Sequence, residues 1–444
     1  MRRSRLRSSL PVLPVALLSL AACVDRTVSR VDPKGDRVET FEVPTVVERD
    51  IDILFVIDSS PSMTEEHASL RTNFGALLER LDDIGGLPNV HLGVVSSDLG
   101  TAPYNVNSQC RADGGDRGIL HGATCAALGG AAFIEDVLDA DGTRRRNYSG
   151  TIEAAFGCTA DVGVNGCGFE QHLEAMRRAL TRGANPGFVR DDALLGVVFL
   201  ADEDDCSASD PRLYDPNSTT LGAITDFRCH AQGIVCDDDP VPASPGVKTG
   251  CVPNPDSAYL EHVDTYVDFL VDLKGGDPDR VIVAGIIGDP EQVEIGPDAQ
   301  GRPAVLATCP TGGLGASEPG IRLDAFLSRF DNSTRATLCA GDLEAALAEV
   351  GAHIIDDLGI MCLGRPVDDR NLELPGVQAE CSMVESVAGI PDRVVPACDA
   401  DAARPCWRIV NDGMCSTEHG QRVEIDRGGT PPVGGKIHVQ CVVQ

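Results

Sequence analysis

Hydrophobic and polar positions along this chain fall into two alternating rhythms. Ile51-Asp52-Ile53-Leu54-Phe55-Val56-Ile57 is β-branched and nearly all apolar, the pattern of a strand buried on both faces of a parallel sheet. Leu70, Phe74, Leu77, Leu78 and Leu81 then recur at helical spacing. Residues 90–95 (VHLGVV) predict a second strand, and Phe169, Leu173, Met176 and Leu180 a second helix. Residues 194–200 (LLGVVFL) predict a third strand, and Leu260, Val263, Val267 and Leu270 a helix. Residues 281–287 (VIVAGII) predict a fourth strand, and Leu343, Leu347, Val350, Ile354 and Leu358 a last helix. Strands alternating with amphipathic helices predict an α/β fold with a doubly wound, mostly parallel sheet. In such sheets ligands bind beyond the carboxyl ends of the strands.

The rhythm breaks in three long segments, 99–165, 205–257 and 288–320, which read as insertions that are functional or covalently stapled. Local staples would join Cys110 to Cys125, Cys158 to Cys167, and Cys309 to Cys339. The pairing of Cys206, Cys229, Cys236 and Cys251 stays open, since four cysteines allow three connectivities. From residue 361 the helical period disappears and Pro and Gly rise, while residues 435–442 alternate as a strand does. Residues 361–444 therefore read as a small, disulfide-stapled, β-rich C-terminal module, with Trp407 covering a disulfide at Cys406.

Composition adds a compartment. The chain has 444 residues and 17 cysteines, too many for a reducing cytoplasm without a zinc-finger spacing, and none is present. Residues 1–9 carry Arg2, Arg3, Arg5 and Arg7, and residues 10–20 form an apolar run too short to span a bilayer as a helix. The run ends in Leu20-Ala21-Ala22-Cys23, which resembles a bacterial lipobox, with Cys23 as the lipidated first residue of the mature chain. The other reading is an ordinary secretory leader with Cys23 in a disulfide. Setting Cys23 aside leaves an even number of cysteines to pair. Residues 1–22 are thus read as a lipoprotein signal peptide and 23–49 as a tether or a leading strand. Val24 after the cysteine favours the outer membrane by the sorting rule of enteric bacteria. The net charge of −31 excludes a general affinity for nucleic acid phosphates and reads as a solvated acidic surface.

Candidate chemistry sits at the strand ends. The first strand leads into Asp58-Ser59-Ser60-Pro61-Ser62-Met63, a D-x-S-x-S turn before a helix. The third leads into four consecutive acids, Asp202, Glu203, Asp204 and Asp205. One carboxylate and two hydroxyls on a tight turn suit a hard divalent cation, and the second acidic cluster supplies further oxygens. Two plainer readings compete. Ser62 with Glu65 spells a capping box for the following helix, and the acidic run spells a solvated loop.

Together FVIDSSPSM, HLGVVSSDLG, VVFLADEDDCS and GCGFEQ resemble the von Willebrand factor type A (VWA) family with its metal-ion-dependent adhesion site, over residues 50–360. The resemblance implies Mg²⁺ or Ca²⁺ held by Asp58, Ser60, Ser62 and Asp202, with a coordination position left open for a partner protein's acidic side chain. The family also supplies a Thr from a loop before a helix. Here Asn165-Gly166-Cys167-Gly168-Phe169-Glu170-Gln171 contains none, and Glu170 is the nearest oxygen donor. His172, on a helix beside it, offers a ligand nitrogen, though an ordinary exposed histidine is the plainer reading.

The expectation is a non-enzymatic, adhesive envelope lipoprotein. The alternatives are a metal-dependent hydrolase using the same acids and a structural protein with a vestigial site. No H-E-x-x-H, G-x-S-x-G or phosphate-binding glycine loop is present.

Overall fold

The chain is described from a computed structural model that defines residues 38–44, 50–82, 87–139, 143–237, 244–291, 293–309, 314–358, 361–367, 377–387, 389–398, 404–411, 421–427 and 435–443. Cys23 and residues 1–22, read above as a signal peptide, lie outside the described residues.

In chain order the elements are β1 (Val38–Pro44), β2 (Asp50–Ile57), α1 (Thr64–Asp82), β3 (Asn89–Ser96), β4 (Ile134–Leu138), β5 (Arg144–Arg146), α2 (Ile152–Thr159) and α3 (His172–Leu180). There follow β6 (Leu194–Ala201), α4 (Phe227–Gly233), β7 (Ile234–Val235), β8 (Gly246–Lys248), β9 (Val252–Pro253), α5 (Val263–Leu273), β10 (Val281–Ile287), β11 (Val293–Pro297) and β12 (Pro303–Val305). The α/β part ends with α6 (Ile321–Leu327), β13 (Ser333–Thr337) and α7 (Glu344–Asp357). The C-terminal strands are β14 (Met361–Cys362), β15 (Cys381–Val387), β16 (Ile390–Val395), β17 (Cys406–Asn411), β18 (Gln421–Asp426) and β19 (Gly435–Val442).

The main sheet has seven strands in the order β13-β10-β6-β2-β3-β4-β5. The first five are parallel, and β4 and β5 close one edge antiparallel. Alternation along β2 divides the core. Ile51, Ile53, Phe55 and Ile57 face one layer with residues of α1, α2 and α7. Leu54 and Val56 face the other with residues of α3, α5 and α6. Each fully buried Ile, Leu or Phe contributes roughly 1.5–3 kcal/mol, so the sheet is held from both sides. The mixed α/β class with a mostly parallel sheet is as expected.

Strand order reverses at β2, which has β3 on one side and β6 on the other. Such a switch point opens a crevice at the carboxyl ends of these strands. Asp58, Ser97 and Asp202 stand there, one after β2, one after β3 and one after β6.

Several expectations change. The helix expected from Phe169 starts at His172, and Phe169 packs with Tyr214 instead, edge to face. The insertions are not irregular throughout. The first holds β4, β5 and α2, and the other two share a three-stranded sheet, β12-β11-β8. Residues 38–44, expected within a tether, form β1 and pair antiparallel with β19. There they satisfy backbone groups that an open strand edge would leave unpaired.

Two expected disulfides are corrected. Cys110 joins Cys167, and Cys125 joins Cys158, with Cα atoms 4.5 and 5.6 Å apart. Proximity in sequence misled, because α2 carries Cys158 back to Cys125 while the loop after β3 lies on the loop before α3. Cys309–Cys339 forms as expected. The open group resolves into Cys206–Cys229 and Cys236–Cys251.

The C-terminal strands form two small sheets, β1-β19-β15-β16 and β14-β18-β17, around a shared apolar core. Cys381–Cys441 links directly opposed residues of β15 and β19. Trp407 is buried in this core beside Cys398–Cys406, as expected. No helix among the described residues is long and apolar enough to cross a membrane.

Candidate metal centre

The turn after β2 is fixed by its neighbours. Asp58 N–H donates to the Leu200 carbonyl (2.9 Å), and Ser97 N–H donates to the Ile57 carbonyl (3.0 Å). Gly166 N–H donates to the Ser59 carbonyl (2.9 Å), bringing the loop before α3 onto the turn. A Cβ at Gly166 would stand 2.1 Å from Ser59 Oγ, so only glycine permits this approach. The Cys110–Cys167 disulfide anchors the same loop from outside.

Within the turn, Ser60 N–H donates to Asp58 Oδ1 (2.8 Å). Ser60 Oγ and Ser62 Oγ are 2.7 Å apart, and Ser60 Oγ lies 3.5 Å from Asp202 Oδ1. Ser62 turns to its neighbour hydroxyl, against the capping-box reading. Asp58, Ser60 and Asp202 are buried, while Ser62 is exposed and opens the group to solvent. The structure thus brings Asp58, Ser60, Ser62 and Asp202 together.

Glu170 stands behind them. Its Oε2 accepts from Ser97 Oγ, and its own backbone carbonyl accepts from Cys206 N–H (2.7 Å). Among the described residues no three His, Cys, Asp or Glu side chains gather about one point as an ion cage. The Asp58 and Asp202 carboxylates act on Glu170 electrostatically, and its Oε1 is buried without a hydrogen-bond partner.

The acidic run after β6 divides by role. Asp204 accepts from the backbone N–H groups of Arg322 (2.9 Å) and Leu323 (3.2 Å), at the start of α6. Asp205 accepts from Leu173 N–H (2.9 Å) at the start of α3 and pairs with the buried Arg322 guanidinium (3.1 Å). These two acids join elements. Asp202 reaches the Asp58 turn, its Oδ1 3.5 Å from Ser60 Oγ.

Charge is poorly compensated here. Burial, then the Asp58 carboxylate beside it, push Asp202 up to about 8. Burial, then Asp58, likewise hold Glu170 well above the ordinary carboxylate range. Asp58 Oδ2 and Glu170 Oε1 are buried without a hydrogen bond. An unpaired buried carboxylate oxygen is costly.

Sequence reasoning missed two neighbours, His67 and Glu66, and misplaced a third, His172. His172 is fully buried, not exposed, and its Nε2 lies 3.4 Å from Asp58 Oδ2 without an aligned hydrogen bond. His67 Nε2 is 2.7 Å from the Asp58 carbonyl oxygen. Glu66, on the first turn of α1, is buried, and burial raises its pKa. Helical spacing placed Leu70 and Phe74 inward, and Glu66, His67 and Phe74 follow the same inward face, which is the signal that was available.

The donor set fits a hard divalent cation: oxygens from two carboxylates and two hydroxyls, one carboxylate oxygen unpaired, and an opening at Ser62.

No protein-family model matches this chain, and no curated protein does. Solved structures that it resembles include the pilus adhesin SpaC of Lactobacillus rhamnosus GG in its open conformation, at 10% identity and a TM-score of 0.33. That match covers 93% of this chain and 43% of SpaC. The pilus adhesin RrgA of Streptococcus pneumoniae matches at 11% identity and a TM-score of 0.26, covering 94% of this chain and 60% of RrgA. The chain spans less than two thirds of either adhesin's length, and the reading of the site rests on its own geometry.

Proposed function

We propose that this is an exported, VWA-like cation-binding protein that holds Mg²⁺ or Ca²⁺ with Asp58, Ser60, Ser62 and Asp202 and recognises an acidic group on a partner protein. One observation carries the reading: Asp58 Oδ2 is buried and unpaired beside a second buried carboxylate and two hydroxyls, at the switch point of the sheet. When bound, the cation would supply positive charge and an open coordination position for the partner's carboxylate.

The chain's own residues prepare that position. Ser60 N–H orients Asp58 through Oδ1. The Cys110–Cys167 staple and the Gly166 contact keep the neighbouring loop on the turn. The exposed Ser62 hydroxyl marks the side from which a ligand enters. Export is supported by the seven disulfides among the described residues, which persist in oxidising compartments. Lipidation of Cys23 would then hold the domain at the outer membrane.

Acetate serves as the minimal acidic ligand in a direct test. With Mn²⁺ as the paramagnetic ion, the acetate methyl proton signal should broaden in the presence of the protein, beyond the effect of free Mn²⁺. Asp58→Ala should abolish the excess. Equal broadening with wild type and variant, or none with either, sinks the proposal.

A further inference from the structure

Beside the Asp58 turn lies a second acidic space that the first site does not use. Glu203 follows Asp202 directly, and Glu318 is tied to the same backbone, its N–H donating to the Asp202 carbonyl (2.7 Å). Asp226, which caps the start of α4 and is exposed, lines the same space. Together with Glu170 and His230 these residues line a cavity of about 30 Å³. That is room for an ion with one or two waters.

The walls carry two unanswered polar atoms. Glu170 Oε1 is buried with no hydrogen-bond partner, while Oε2 of the same carboxylate is engaged by Ser97. His230 is only 9% exposed, and its Nε2 is also buried without a partner. Burial, then the nearby Lys248, lower His230 to about 4, so its ring is neutral at physiological pH. A neutral imidazole nitrogen left dry in a polar cavity calls for a partner that the protein does not supply.

Arg302, whose charge reaches Asp226, is itself paired with Asp298 (2.6 Å). Arg322, which lines the cavity, already pairs with Asp205 and donates to the Glu261 carbonyl (2.8 Å). Glu203, Glu318 and Asp226 place three carboxylates around this one cavity. Such a group relieves its repulsion with protons or with a bound cation.

We propose that this cavity is a second cation site, taking one partly hydrated Ca²⁺ or Mg²⁺ on Glu203 and Glu318, with Asp226, Glu170 and His230 meeting its water. Water is part of the site because no three carboxylate or imidazole groups already converge on one point. A small hard cation that keeps several waters suits such a set. His230 then accepts or donates a hydrogen bond to bound water, according to its tautomer. The site is distinct from the Asp58 turn and stands on different residues.

Ion counting on the full chain separates the two. After dialysis against Ca²⁺, bound metal is measured for wild type, Asp58→Ala and Glu203→Gln/Glu318→Gln. The double variant should hold one ion fewer than wild type, and the ion it keeps should be lost when Asp58→Ala is added. Loss of an ion from the double variant but none from Asp58→Ala would uphold this site while sinking the first. Equal ion counts in wild type and the double variant overturn the proposal. Should the double variant fail to fold, Asp226→Asn, at an exposed position, is the substitute. It should weaken the second Ca²⁺ at least tenfold, and an unchanged affinity overturns the proposal equally.

Discussion

At the scale of single residues, the environment of Asp58 sets what the site can bind. One of its oxygens is held by Ser60 N–H, and the other lies 3.4 Å from His172 Nε2. His172 is buried on the inner end of α3 and acts on the carboxylate rather than on the solvent side. Groups that orient a metal ligand typically matter ten- to a hundredfold for metal affinity. His172→Ala should therefore weaken Ca²⁺ or Mg²⁺ binding by about 10–100-fold in a calorimetric titration, with His172→Gln recovering part of the loss. Unchanged affinity would show that His172 only fills space. Asp202 gives a pH signature. Its pKa is raised in the folded chain to about 8, so between the unfolded carboxylate value and 8 the folded state holds the extra proton. Without metal, stability should fall as pH rises from 5 to 8, and a saturating cation should flatten that decline. Melting curves in chelator that are level or rising over this range would contradict the assignment. The sequence made Asp58, Ser60, Ser62 and Asp202 legible because each sits just past an apolar strand. It left His172 as an exposed histidine and did not single out His67 or Ser97, because all three reach the turn from other elements.

At the scale of elements, periodicity carried most of the information. The all-apolar runs became β2, β3, β6 and β10, each buried on both faces, as a parallel sheet demands. β13 escaped notice because Ser333–Thr337 is mostly polar, and it sits at the sheet edge where one flank is open. The acidic run Asp202 to Asp205 read as one unit, but α3 and α6 begin beside it and claim Asp204 and Asp205 for their N–H groups and for Arg322. The disulfides failed for a related reason. Sequence distance within a long insertion says little about where an intervening helix such as α2 returns the chain. The corrected Cys110–Cys167 bond joins the loop after β3 to the loop that bears Glu170, across a separation of 57 residues. Closing a loop of that size stabilises by about 4 kcal/mol in the chain-entropy picture. Cys110→Ser/Cys167→Ser should lose much of this in urea denaturation and should weaken cation binding as the Gly166 loop loosens. A variant with unchanged stability and unchanged affinity would remove the staple from the account.

At the scale of the whole molecule, an α/β domain with a solvent-open acidic turn accompanies a small β-rich module closed by disulfides. β1 completes the module's larger sheet, so residues 38–44 belong with the C-terminal strands rather than with a free tether. The net charge of −31 read as a solvated surface, yet the acids that matter most here are buried or half-buried around one crevice. Composition registers how many carboxylates a chain has, not which of them the fold gathers. A cation there binds the folded chain and not the unfolded one, and so shifts melting by mass action. The most direct measurement is the melting temperature of wild type and Asp58→Ala, each in chelator and in Ca²⁺ or Mg²⁺ at a hundredfold excess over Kd. For wild type the ion at the Asp58 turn should add ~2.7 kcal/mol, a rise on the order of 5 °C, and Asp58→Ala should lose that share. The same melting temperature for wild type with and without metal, or an equal rise in both proteins, would contradict a cation held by Asp58, Ser60, Ser62 and Asp202.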